Sequence, residues 1–235
     1  MSNWRPKRFW KAASVVADEG GFAVHLDGRP VKTPAKQPLL LPTHALATLV
    51  AAEWDAQSGL VNPETMPVTR MANSAIDKVV PQYHEVATLL TAYGETDHLC
   101  YRATHPPALA AQQALAWDPL LEWAAEALQA PLKATAGVAP IAQDPAVLAR
   151  LHDQVLALGN FKLAAFHDLV SISGSLVLAF GVGQGRLTAE EGWHLSRLDE
   201  SWQIALWGED EDAAAAAALK REAFHLAARF FALCA

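Results

Sequence analysis

The chain has 235 residues, 52% hydrophobic and 18% charged, so it can bury a substantial core and is not disordered throughout. Its net charge of −7 argues against a general nucleic-acid binder. The charge is uneven: residues 1–40 carry seven basic and three acidic side chains, and residues 151–235 carry six basic and eleven acidic. That separation suits a protein partner better than a polyanion.

Phe9–Val16 and Gly21–Leu26 are rich in aromatic and β-branched residues, with Glu19-Gly20 between them, the pattern of a hairpin. Asp27-Gly28 then signals a tight turn. Val31–Leu41 contains Pro34 and Pro38, with Pro42 just beyond, and reads as an edge strand or extended loop. Thr43 can cap the first helix, in which Leu46, Leu49, Val50, Glu53, Trp54 and Gln57 recur at helical spacing. Helical patterns follow over Thr69–Val80 and Tyr83–Tyr93, and His98–Arg102 reads as a further strand.

The back half is rich in alanine, the best helix former: 16 of 47 alanines fall in 101–150 and 12 in 201–235. Ala108–Leu128 is helical in pattern, with an interruption expected at Trp117-Asp118-Pro119, where Asp118 can cap a new helix and Pro119 take its first position. Beyond a loop or short strand at Pro131–Ala142, four helices are expected at 145–158, 161–180, 189–206 and 212–233. The third opens on the capping box Thr188-Ala-Glu-Glu191. The fold class is therefore α+β, a small N-terminal antiparallel β-rich domain (1–80) with helices at its end, followed by a larger, mainly helical C-terminal domain (81–235).

Cys100 and Cys234 form no paired motif, which favours a reducing compartment. Met1–Lys11 is polar and basic with no apolar run behind it, unlike a secretory signal. Leu169–Phe180 is too short to span a bilayer. A soluble, intracellular protein without membrane insertion is expected.

Candidate chemistry is sparse. Gly181-Val-Gly-Gln-Gly185 lacks the following Lys-Ser/Thr and the preceding strand of a nucleotide loop, and reads as a helix end. Asp97, His98, Cys100 and His105 have metal-ligand chemistry, and on a strand His98 and Cys100 would point to one side, but their spacing is not that of a structural zinc site. Ser171, Ser173 and Ser175 lie in no nucleophile elbow. His167 and Asp168 would diverge by about 100° on a helix and form no oriented dyad. No catalytic residue, metal or cofactor is expected.

Most of the eight tryptophans sit at apolar positions of periodic segments and belong to the core. Trp4 and Trp10, flanking Arg5-Pro-Lys-Arg8, are expected in an exposed arm as partner anchors. Glu209–Asp212 suits a helix N-terminus. Asp199-Glu200 lies among Leu195, Leu198, Trp202 and Leu206, which places at least one carboxylate near the edge of an apolar stripe.

Six segments then stand in order: Lys7-Arg-Phe-Trp10, Asp27-Gly-Arg-Pro-Val-Lys-Thr33, Glu53-Trp-Asp-Ala-Gln57, Asp97–Arg102, Trp117-Asp-Pro-Leu-Leu-Glu-Trp123, and Leu195-Ser-Arg-Leu-Asp-Glu200 leading to Gln203 and Trp207-Gly208. Together they resemble the F-type ATP synthase assembly chaperones that bind the free α subunit of the catalytic sector. The resemblance implies a two-part, non-enzymatic protein that shields the apolar interface of the unassembled α subunit until β subunit replaces it. It places an acidic position important for chaperone action at Asp199-Glu200, with Glu200 the choice, and gives Trp54 a packing role. Trp117 and Asp118 are expected to be structural as well. The mitochondrial members begin with a transit peptide, whereas this chain starts almost at the hairpin. A monomer in the bacterial cytoplasm is therefore expected, with the mitochondrial matrix as the site of the eukaryotic relatives. Two other classes compete: a small-molecule or metal-dependent enzyme using the His98/Cys100/His105 region, and an adaptor without chaperone activity.

Overall fold

A computed structural model describes residues 7–234. Trp4, named above as an anchor, lies outside the described residues. The described residues form two compact units: 7–83 with 160–165 and 229–234, and 84–159 with 166–228. The front of the chain thus recruits two short stretches of the helical back half, which a division after residue 80 does not include.

In the first unit, Ala13–Asp18 (β1) and Gly21–Leu26 (β2) pair antiparallel from Ala13 opposite Leu26 to Asp18 opposite Gly21. Arg29–Pro30 (β3) and Leu40–Leu41 (β4) both add to β2, completing a four-stranded antiparallel sheet. The first strand starts later than the aromatic run at Phe9 suggests. The amides of Lys11 and Ala12 donate to the Asp27 carboxylate at 2.9–3.1 Å, and Arg8 N–H donates to the Gly59 carbonyl at 2.7 Å, so this stretch is held by the turn and a loop rather than by the ladder. Those two amides hold the Asp27 carboxyl below its ordinary value.

Thr43 caps His44–Asp55 (α1), which packs its buried Leu46, Ala47, Val50 and Ala51 toward β1 and β2. Pro67–Ser74 (α2) continues through a π-helical turn, Ala75–Val79, and a 3₁₀ turn containing Pro81, into Tyr83–Thr91 (α3). The proline adjusts the helix rather than ending it.

In the second unit, His98–Cys100 is a 3₁₀ turn, and only Tyr101–Arg102 (β5) is strand, pairing in parallel with Thr135–Ala136 (β6). Between them, Pro107–Ala127 (α4) is one helix, so Asp118 caps nothing. Pro119 is tolerated because it and Leu115, whose carbonyl its missing N–H would have met, are both on the exposed face. Pro145–Leu156 (α5) follows as expected.

The expected helix 161–180 is two: Asn160–Ser173 (α6) and Leu176–Gly183 (α7). Gly174 breaks it with a left-handed φ of 71°, and Ser175 restarts it by accepting from Leu178 N–H. The expected helix 189–206 is likewise Ala189–Ser196 (α8) and Leu198–Trp207 (α9), divided at Arg197. The capping box at Thr188 and Glu191 is present. Glu211–Leu233 (α10) completes the α+β fold. Among the described residues, no helix is long and apolar enough to cross a membrane.

Candidate functional site

Two segments of the front, around Arg8 and around Trp54, lock onto each other. The Arg8 guanidinium donates to the carbonyls of Trp10, Lys11, Asp55 and Gln57 and pairs with the Asp55 carboxylate at 3.1 Å. Trp10 is only 4% exposed, stacks edge-on against Trp54 at 5.3 Å, and lies 5.5 Å from the Arg8 guanidinium. Its expected exposure as an arm anchor is thereby corrected: α1 gives the indole a partner. Glu53 accepts from Val68 N–H at 2.8 Å and from both Thr69 N–H and hydroxyl at 2.7 Å, supplying the acceptors missing at the start of α2. Sequence reading took Glu53 and Arg8 as helix and arm residues and missed this clasp, because its partners lie 15–16 residues from Glu53 and 47–49 from Arg8.

In the second unit, three sequence segments converge on Trp117, which is fully buried. Its indole N–H donates to the Leu195 carbonyl at 3.0 Å, the His98 ring meets it edge-on at 5.0 Å, and the Arg102 guanidinium lies 5.0 Å from its ring. Arg102 also pairs with Asp118 at 2.6 Å. Gln113 donates to Asp199 at 2.6 Å and accepts from Ala103 N–H at 2.7 Å. These contacts fix the start of α9 against α4.

That anchoring separates the two carboxylates singled out above. Asp199 is taken up by Gln113. Glu200 pairs through Oε1 with Arg197 at 2.6 Å, and its Oε2 is buried without a hydrogen-bond partner. On α9, Glu200, Gln203, Ile204 and Trp207 fall at i, i+3, i+4 and i+7, one helical face opposite the buried Leu198. Ile204 is 43% and Trp207 79% exposed. Leu206, expected in the buried stripe, is exposed as well. The spacing from Glu200 to Trp207 was the available signal for this face.

The other chemical candidates do not assemble. The 3₁₀ turn removes the strand geometry that would have aimed His98 and Cys100 together, and among the described residues no group of three His, Cys, Asp or Glu side chains is placed to hold a metal. Asp97 is instead spent on the backbone, accepting from Leu99 and Val177 N–H at 3.0 and 3.1 Å. Burial, aided by the nearby Asp97, pushes the Cys100 thiol up to about 12, and burial does the same for Cys234. Both thiols are therefore weak nucleophiles at neutral pH. His167 and Asp168 do meet, at 3.1 Å, contrary to the expected divergence, but on an open surface where the pair orients no nucleophile.

The family described as ATP12 chaperone protein matches residues 7–125. Atp12 from Paracoccus denitrificans is 50% identical, with a TM-score of 0.95 over 97% of this chain and 98% of that one. A lysine-for-aspartate mutant of the P. denitrificans protein is 49% identical, with the same TM-score and coverage. The mitochondrial protein atp12 of Schizosaccharomyces pombe is 28% identical over 221 residues, 88% of this chain and 75% of its own length. From the matched front half and the likeness along nearly its whole length, the chain belongs to the ATP12 chaperone family, a family of ATP synthase assembly chaperones.

Proposed function

We propose that this protein is an assembly chaperone that binds the unassembled α subunit of the F-type ATP synthase catalytic sector, without catalysis, as a monomer in a bacterial cytoplasm. Membership of the chaperone family carries the reading. A subunit destined for a ring exposes an apolar surface meant for its neighbour, and such a patch aggregates until covered. A chaperone of modest affinity covers it and yields to β subunit by competition. This task needs shape, anchors and complementary charge rather than a reaction centre.

Glu200 is the acidic residue assigned to client binding, and Asp199 beside it to holding α9 in place. Binding of purified α subunit to the full-length protein tests both the function and this assignment. Wild type should bind free α subunit and not the assembled catalytic sector. Glu200→Lys should weaken binding about tenfold or more, the scale of an interface hot spot, at an unchanged thermal midpoint. Equal binding to the assembled enzyme would overturn the chaperone reading. A Glu200→Lys protein that binds normally would remove Glu200 from the interface.

A further inference from the structure

The outer face of α9 carries exposed apolar side chains next to a run of like charge. Trp207 leaves most of its ring in solvent at the last position of the helix, and Ile204 stands one turn before it. One residue beyond, at Gly208, the chain turns with a φ of 88° into Glu209-Asp-Glu-Asp212, all exposed. Asp210 accepts from Ala213 N–H at 2.8 Å and so serves the start of α10, while the half-exposed Glu200, one turn before Ile204, pairs with Arg197 through Oε1 and buries Oε2 without a partner. An exposed indole has no role in holding the fold, and four carboxylates beside it exceed what one helix start requires.

We infer that Ile204 and Trp207 are the apolar anchors of the client site, and that they enter an apolar groove of the client that is bordered by lysine or arginine side chains. This rests on the chaperone reading above and names the kind of surface it recognises. A helix presenting anchors at i and i+3 is the geometry of helix-in-groove recognition. The acidic run and Glu200 bracket the anchors along the chain, so a basic rim meets charge on both sides, while an acidic rim is repelled. The apolar contact supplies the affinity and the charges the orientation and encounter rate.

The test is a titration of full-length protein with purified, unassembled α subunit at low and high salt. Trp207→Ala and Ile204→Ala should each weaken binding about tenfold or more at an unchanged thermal midpoint, since both side chains are exposed. Replacing Glu209 and Asp210–Asp212 by the neutral amides should lower the association rate several-fold and flatten its salt dependence. Leu115→Ala, which removes an equally exposed apolar side chain (81%) from α4, should leave binding as it is. Wild type that binds α subunit while both anchor variants bind equally well overturns this surface and leaves the chaperone function standing. Wild type that fails to bind α subunit at all overturns the function and this surface with it.

Discussion

Asp97 shows how a residue with the chemistry of a site can be wholly structural. It is fully buried between the 3₁₀ turn and the N-terminus of α7, where its carboxylate satisfies Leu99 N–H, Val177 N–H and the Ser175 hydroxyl. Asp97→Ala strands those donors and should cost about 3 kcal/mol in urea unfolding at unchanged m; a loss below about 1 kcal/mol would show that water replaces the carboxylate. Burial, the dominant influence, raises the carboxyl's pKa against these hydrogen bonds, so the folded protein holds the proton more tightly than the unfolded chain. That contribution is complete below the ordinary carboxylate value and is lost as pH rises through the folded one. Wild type should therefore lose stability relative to Asp97→Asn as pH rises above the ordinary carboxylate range, and a constant difference would contradict the direction of the shift. Nothing in the residues Asp97 to His105 distinguished this role from metal binding, because the deciding partner, Val177, lies in another helix.

At the scale of elements, the sequence was most legible where a helix start is encoded locally. Thr43 and the Thr188–Glu191 box cap as their spacing predicts. It was least legible at interruptions. Pro119 reads as a break yet sits on a solvent face where the freed carbonyl meets water, whereas Gly174 and Arg197, neither a strong breaker in its apolar or periodic context, divide what reads as continuous helix. Solvent exposure decides the first case and a left-handed glycine cap the second. Gly192 makes the same point in packing: a Cβ there would lie 2.6 Å from the Val182 methyl and 3.4 Å from the Phe224 ring. Gly192→Ala gains about 1 kcal/mol of helix propensity and should still lower stability by about 1–3 kcal/mol through overpacking between α7 and α8. A raised thermal midpoint would mean that Val182 simply yields.

For the whole molecule, composition and element order were enough for the α+β class, and the ordered segments for the family. They could not show which parts of the back half return to the front. Phe230 and Phe231 are buried in the first unit, where Phe230 stacks with Phe161 at 6.4 Å and the Thr43 hydroxyl donates to the Leu233 carbonyl at 2.6 Å. Truncation after Ala228 removes both rings and should cost more than about 5 kcal/mol, comparable to the entire stability of a small domain. Limited proteolysis with mass spectrometry should then show cleavage concentrated before Tyr83. Wild-type protection there would mean that the strands and α1 suffice alone. This recruitment also sets an order of events during synthesis. The strand-bearing unit is translated first, but it cannot be finished until Phe230 and Phe231 leave the ribosome, by which time every residue of the helical unit has already emerged. The part of the chaperone that is made first is therefore completed last.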